Sequence, residues 1–195
     1  MDKRQHINTA DIHELQQRIA DYEDVAAYQK LFFHFFLPLK SFSFSILKSK
    51  ETAEEIVSDI FIEIWARRKQ LLEIEDLKMY LYISVRNASL RKLQQKQKTI
   101  ILSLEDLEVE FASADPNAET FLINHELAQK IDHAIETLPQ QCKIIFKLAK
   151  QDNLKYKEIA QLLNISVKTI DNQLSTALKK IASVLNSTVK RSSSN

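Results

Sequence analysis

Glycine does not occur anywhere in the 195 residues. An average chain carries about 7%, so backbone sites with positive φ must fall to asparagine or aspartate, or be missing. Tight hairpins depend on such sites, which argues against an all-β fold. A glycine-rich phosphate loop is ruled out outright. Proline occurs three times and cysteine once, at Cys142. A single cysteine forms no intramolecular disulfide, and one free thiol suits a reducing cytosol. Long hydrophobic runs are missing as well. The greasiest stretch, LFFHFFLPL at 31–39, is too short for a bilayer and contains His34 and Pro38. The opening MDKRQHINTADIHE holds no apolar core of signal-peptide type. The expectation is a soluble, cytoplasmic protein with no direct membrane insertion.

Hydrophobic residues make up 45% of the chain and charged ones 27%, an ordinary globular mix with a net charge of +1. Leu, Ile, Lys, Gln and Glu are abundant, and these are good helix formers. The composition points to an all-α protein. The apolar spacing agrees almost throughout. Ile12, Leu15 and Ile19 mark a first helix, with Thr9 or Asp11 as its cap. A Phe-rich segment follows from about Asp24 to Leu47, and Pro38 is expected to kink or divide it. The next helix runs from Glu51 to Trp65, with Thr52 and Glu55 spaced as a capping box. ARRKQLLEIED breaks the period and reads as a connection. Another helix runs from Leu77 to about Gln97.

Residues 103–119, SLEDLEVEFASADPNAE, carry six acids and no basic residue, and they lack a sustained apolar stripe. This marks a domain boundary. The division is a helical domain over 1–98, an acidic linker over 99–119, a four-helix domain over 120–187 and a polar tail over 188–195. The four later helices are expected at about Glu119–Glu136, Pro139–Lys150, Lys155–Leu163 and Val167–Leu185, with Pro139 at a first helical position.

The last two of these meet across Asn164, Ile165 and Ser166. Ile159, Ala160 and Leu163 are placed inward on one helix, and Ile170, Leu174, Leu178 and Ile181 form the buried stripe of the other. Asn164 is the best glycine substitute for a left-handed turn position, and Ser166 is placed to cap the final helix. That helix shows Lys168, Thr169, Asn172, Gln173, Ser175, Thr176 and Lys179 on its outer face. Short and forked polar groups of this kind reach base edges and phosphates. The pattern is a helix-turn-helix whose second helix enters a major groove. An αα corner with a polar exterior is the plain alternative.

A second basic surface lies at 86–98, RNASLRKLQQKQK, with five basic residues and no acid. Such a helix can neutralise phosphates and release counterions. The Glu51–Trp65 helix has the opposite character, with Glu54, Glu55, Ser58, Asp59 and Glu63 outside its apolar stripe. That face suits a basic protein surface or plain solvent, not DNA.

ETAEEIVSDIFIEIW, YLYISVRNASLRKL and LPQQCKIIFKLAKQDNLKYKEIAQLLNISVKTIDNQLSTALKKI, in this order and spacing, resemble the extracytoplasmic-function group of bacterial sigma factors. The resemblance covers about 24–98 and 124–185. It implies that the Ala53–Trp65 helix meets the clamp of core RNA polymerase through Glu55, Ser58, Asp59 and Ile62, with Asp59 in the usual contact position. It implies that Arg86, Asn87, Arg91 and Lys92 meet the −10 promoter element and that the Arg67–Asp76 loop captures a flipped base. It assigns the −35 element to Ser166, Lys168, Thr169, Asn172, Ser175 and Lys179. It also brings an anti-sigma factor into view as a partner, and it implies no cofactor, no metal and no catalysis. Four positions depart from the family pattern: Ser58 stands for a frequent Gln, Ser84 for an apolar residue, Asn153 for a common glycine, and Lys155 for a frequent Ser or Thr. None removes a required chemical group.

Two other classes compete. A stand-alone helix-turn-helix transcriptional regulator would bind duplex DNA without polymerase. An enzyme is the weaker rival: His6, His13, His34, His125 and His133 show no metal-ligand spacing with acids, and Cys142 sits in an apolar helix.

Overall fold

A computed structural model describes residues 9–102 and 131–192, with side chains over 9–96 and 131–184. Among the described residues every regular element is a helix. Contacts divide the chain into two units, Met1–Leu102 and Ser103–Asn195. The first holds α1 (Thr9–Tyr22), α2 (Val25–Leu47), α3 (Lys50–Ala66), a 3-10 helix (Arg68–Glu73) and α4 (Leu77–Leu102). The second holds α5 (131–136), α6 (Gln140–Lys150), α7 (Tyr156–Leu163) and α8 (Val167–Ser192). The acids expected in a linker at 105–119 lie outside the described residues, as does His125. Helix α4 runs four residues past the expected end of the first domain. Helix α8 continues to Ser192, well into the stretch expected as a polar tail.

In the first unit α2 is the central element, packing against α1, α3 and α4. Leu31, Phe35, Leu39 and Phe42 are buried along it at spacings of four, four and three, as an α-helical face requires. Pro38 sits inside this stripe and does not divide the helix. A mid-helix proline costs roughly 3 kcal/mol. The large apolar groups buried on both sides of it contribute roughly 1.5–3 kcal/mol each, which outweighs that cost. Helix α3 buries Ala53, Ile56, Val57, Ile60, Phe61 and Ile64. Its cap is Ser49, whose hydroxyl accepts from the Thr52 N–H at 3.2 Å. The expected box at Thr52 and Glu55 does not form, because the helix begins earlier and Ser49 takes that role. A buried pair, Ser43 Oγ and Ser89 Oγ at 2.8 Å, joins α2 to α4. Each hydroxyl there satisfies the other, which removes the penalty of burying either alone.

The second unit is held by Ala134, Ile135, Leu138, Cys142, Ala177 and Ile181, with Ile131, Phe146 and Val184 packed at the edge. Pro139 takes the capping position of α6, one residue before the helix begins.

Four described residues adopt left-handed backbone: Glu23 (φ 52°), Lys48 (φ 60°), Asn153 (φ 52°) and Asn164 (φ 54°). The absence of glycine predicts Asn or Asp at such sites, and two of the four follow that rule. Lys48 ends α2, its N–H donating to the Phe44 carbonyl at 2.9 Å. Glu23 fills the tight joint between α1 and α2. Both are fixed by their surroundings, which offset a local cost of about 1–2 kcal/mol.

Beyond that joint, Asp24 starts α2. Its Oδ1 accepts from the N–H groups of Ala26 and Ala27 at 2.9 and 3.0 Å. Its Oδ2 takes the Arg18 guanidinium at 2.6 and 3.0 Å. The Ala27 N–H and then the Arg18 side chain hold the carboxyl below its ordinary range. A carboxylate favoured by the fold stabilises it above the unfolded pKa of about 3.9, and that contribution is lost as pH falls through the lower folded value. Asp24→Asn keeps a capping residue but removes the charge. Wild type is expected to melt higher than Asp24→Asn at neutral pH, with the gap closing below about pH 4. Thermal melts across a pH series check this, and a gap that stays constant contradicts it.

Candidate nucleic-acid interface

The helix-turn-helix forms as its sequence dictates. Helix α7 is capped by Lys155, whose N–H donates to the Glu158 carboxylate at 2.8 Å. It ends at Asn164, with φ 54° and ψ 49°, and the Asn164 N–H donates to the Ala160 carbonyl. The Ile165 N–H reaches the same carbonyl at 3.1 Å. A left-handed residue turns the chain while keeping these end groups bonded. Two residues on, Ser166 Oγ accepts from the Thr169 N–H at 3.0 Å and starts α8.

The inward faces differ in detail from the sequence pattern. Leu162 is buried on α7, not Leu163, which is half-buried. On α8 the buried residues are Ile170, Leu174, Ala177 and Ile181, while Leu178 is 50% exposed. Ala177 and Leu178 are both compatible with a helical stripe, and the smaller one takes the inner position where other helices approach closely.

The outer face of α8 is what these burials leave. Lys168, Asn172, Ser175 and Lys179 are exposed and recur at spacings of four, three and four. They form one ridge directed away from the core. Lys168 Nζ lies 3.9 Å from Asp171, with both groups well exposed. Such a pair is worth about 0–1 kcal/mol and exchanges readily for a phosphate. Ser166 and Thr169 stand at the start of the ridge with their hydroxyls 2.8 Å apart. Thr169 is half-buried. Gln173 is not part of the outer face: it is half-buried and accepts from the Cys142 thiol at 2.6 Å. Cys142 itself is buried.

In the first unit the two predicted surfaces abut. On α3, Glu55, Asp59 and Ile62 are exposed and share a face, with Ser58 half-buried beside them. Ile62 is 64% exposed, unusual for a large aliphatic on a helix with a well-filled core side. On α4, Asn87, Arg91 and Lys92 are exposed and Arg86 is half-buried. Asn87 and Arg91 line an open concavity together with Leu90 and Gln94. Lys92 Nζ lies 3.6 Å from Glu55 Oε1 across the helices, again between exposed groups. Arg91 has no such acid partner in the ion pairs of the described residues.

Between α3 and α4 the chain makes the 3-10 helix. Leu71 is buried under it, while Lys69, Gln70, Leu72 and Glu73 are exposed. A shallow depression beside it is lined by Ile60, Glu63, Arg67, Gln70, Tyr80 and Ser84. Ser84, where the pattern expects an apolar residue, thus lies at a surface hollow and not in the core. Tyr80 and Gln16 were not singled out from the sequence. The only sequence signal for Gln16 is its register, since it shares the buried face of α1 with Ile12 and Ile19.

Among the described residues no three His, Cys, Asp or Glu side chains gather as a metal site. Among them, too, no helix is long and apolar enough to cross a membrane.

Comparison with known proteins gives both units a counterpart. The family model of Sigma-70 region 2 matches residues 34–99, and that of Sigma-70, region 4 matches residues 128–181. Together they take in more than half of the chain. No curated protein is significantly similar in sequence. Among solved structures, the sigma factor RpoE from Bartonella quintana, solved in complex with the anti-sigma factor NepR, superposes with a TM-score of 0.58 at 18% identity, over 83% of this chain and 98% of that one. CnrH, solved in complex with the cytosolic domain of CnrY, gives a TM-score of 0.50 at 17% identity, over 90% of this chain and 97% of that one. At these identities the likeness speaks for the fold. With region 2 on the first helical unit and region 4 on the second, the chain belongs to the sigma-70 family of RNA polymerase sigma factors.

Proposed function

We propose that this sigma factor works by a two-point grip, with α8 reading the −35 duplex and α4 with its preceding loop holding the opened −10 strand. Sigma factors of this family bind core RNA polymerase and direct it to promoter DNA. The residue assignments are the proposal. The observation that carries it is the ridge of Lys168, Asn172, Ser175 and Lys179, left exposed by a helix that buries Ile170, Leu174, Ala177 and Ile181 on its other side. Ser166 and Thr169 join it at the N-terminal end of the helix, where base edges are usually contacted. Arg86, Asn87, Arg91 and Lys92 offer cations and an amide to the strand at −10. Glu55, Ser58, Asp59 and Ile62 form the surface for the polymerase clamp.

Each contact can be weak, because tethering raises the effective concentration of the second. Residues 1–98 and 120–187 would serve as the two binding domains, with the acidic 99–119 segment setting their reach. The protein would act in the cytoplasm, beside the polymerase, and would carry out no catalysis of its own. An anti-sigma factor is a further proposed partner, supported by the complex in which the similar RpoE was solved. A stand-alone regulator is not favoured, since it has no use for a region 2 domain.

The read-out face is tested in run-off transcription with core polymerase. Asn172→Ala is expected to lose about 1–3 kcal/mol at one base position and relax specificity there. Lys168→Ala is expected to weaken all sequences alike and to lower the salt slope by about one. Promoter affinity that survives both changes contradicts the assignment. On the polymerase face, Ile62→Ala is expected to weaken core binding roughly tenfold, as for an exposed interface anchor. Because Ile62 adds little to the core, its stability should stay within about 0.5 kcal/mol of wild type. Titration of labelled protein with core enzyme and a thermal melt decide between a binding and a folding effect.

A further inference from the structure

The 3-10 helix Arg68–Glu73 is six residues long. Runs beyond three or four residues are uncommon, because 3-10 hydrogen bonds are poorly aligned. Something outside the loop holds this one. The Gln16 carboxamide nitrogen donates to the Leu71 carbonyl at 2.8 Å and to the Ile74 carbonyl at 2.9 Å. Both protons of one amide group are thereby spent on the end of the loop. Gln16 is only 3% exposed, and it sits among Ile12, Leu15, Ile19 and Ala20 on the buried face of α1. A buried polar side chain in an apolar stripe costs free energy unless its bonds are made. Here they are made to backbone more than fifty residues away.

The start of the loop is held from the same side. Arg68 Nη2 pairs with the Glu23 carboxylate, and Nη1 donates to the Trp65 carbonyl at 3.2 Å. The guanidinium carbon lies 5.3 Å from the centre of the Trp65 ring. Glu23 is itself fixed in left-handed backbone at the α1–α2 joint. Both ends of the loop are therefore gripped by residues that precede the region 2 match at residue 34.

We propose that α1 braces the loop for promoter opening: Gln16, aided by the Glu23–Arg68 pair, is a positioning residue that holds Arg68–Ile74 in the geometry that receives the unpaired −10 base. The inference rests on the reading of Arg67–Asp76 as the base-capturing segment. Extruding a base costs a few kcal/mol. A loop that must first be ordered spends binding energy on ordering itself, while a loop already held does not. The exposed Lys69 and Gln70 and the hollow beside Tyr80 are then presented in one fixed arrangement.

The test uses holoenzyme assembled from core polymerase and the full chain. Its DNA is a promoter duplex selected by the wild-type holoenzyme, intact and with the −10 element pre-melted by mismatches. Gln16→Met keeps the volume and removes both donors. It is expected to weaken binding to the pre-melted duplex and to slow opening of the intact one by about tenfold, or about 1.4 kcal/mol. Core binding should stay within about twofold. Glu23→Ala, at a half-exposed site, should give a smaller loss of the same kind. If circular dichroism shows that Gln16→Met has lost helix, Glu23→Ala decides on the same readouts. Equal losses of core binding and strand capture in a folded variant make Gln16 a general structural residue and overturn the proposal. Lys69→Ala and Gln70→Ala separate the two layers. If they lose strand capture while Gln16→Met does not, the brace is wrong and the loop reading stands. If neither they nor Gln16→Met loses it, the loop reading itself fails and the brace falls with it.

Discussion

Helix α7 turns into α8 within three residues, and Asn164 makes that turn in left-handed backbone, at φ 54° and ψ 49°. Most side chains resist this conformation by about 1–2 kcal/mol, and Asn resists it least among those available to a chain without glycine. Because the corner is tight, α7 packs against α8, and Ile159, Leu162, Ile170 and Leu174 are all buried. Because Ile170 and Leu174 take one side of α8, Lys168, Asn172, Ser175 and Lys179 are left on the other. The proposed DNA-reading surface is thus a consequence of where the apolar side chains go. On that proposal, a change at Asn164 acts on DNA binding without touching DNA.

The first unit solves a different problem, which is to show opposite charge on neighbouring helices. Helix α3 offers acids and the exposed Ile62, and α4 offers cations and amides. At their border Lys92 and Glu55 stand 3.6 Å apart. In solvent this attraction is small. A pair this weak leaves Lys92 available for the phosphate contact proposed for it. The same holds for Lys168 and Asp171. With a net charge of +1, the DNA contact proposed here draws on local surfaces and not on the field of the whole molecule.

Much of this was legible from residue spacing. The helix-turn-helix corner, Asn164 at its left-handed position and the Ser166 cap all follow from local chemistry, which a sequence shows directly. What was not legible depends on tertiary neighbours. The spacing puts Leu178 inside, but close helix packing admits Ala177 and turns Leu178 outward. It puts Gln173 outside, but the Cys142 thiol draws it in. It lets Pro38 divide α2, but burial on both sides carries the helix through. The clearest case is Gln16. Nothing in its immediate sequence announces a partner 55 residues away, and only its place on the apolar face of α1 marks it as unusual.

The central claim is that two modest surfaces on separate units grip one promoter together. The most direct measurement is the affinity of the holoenzyme for three duplexes: one with both promoter elements, one with the −35 element scrambled and one with the −10 element scrambled. Tethered binding predicts that the complete promoter binds at least about a hundredfold more tightly than either scrambled one. Full affinity retained with either element scrambled, or equal affinity without core polymerase, would contradict the account.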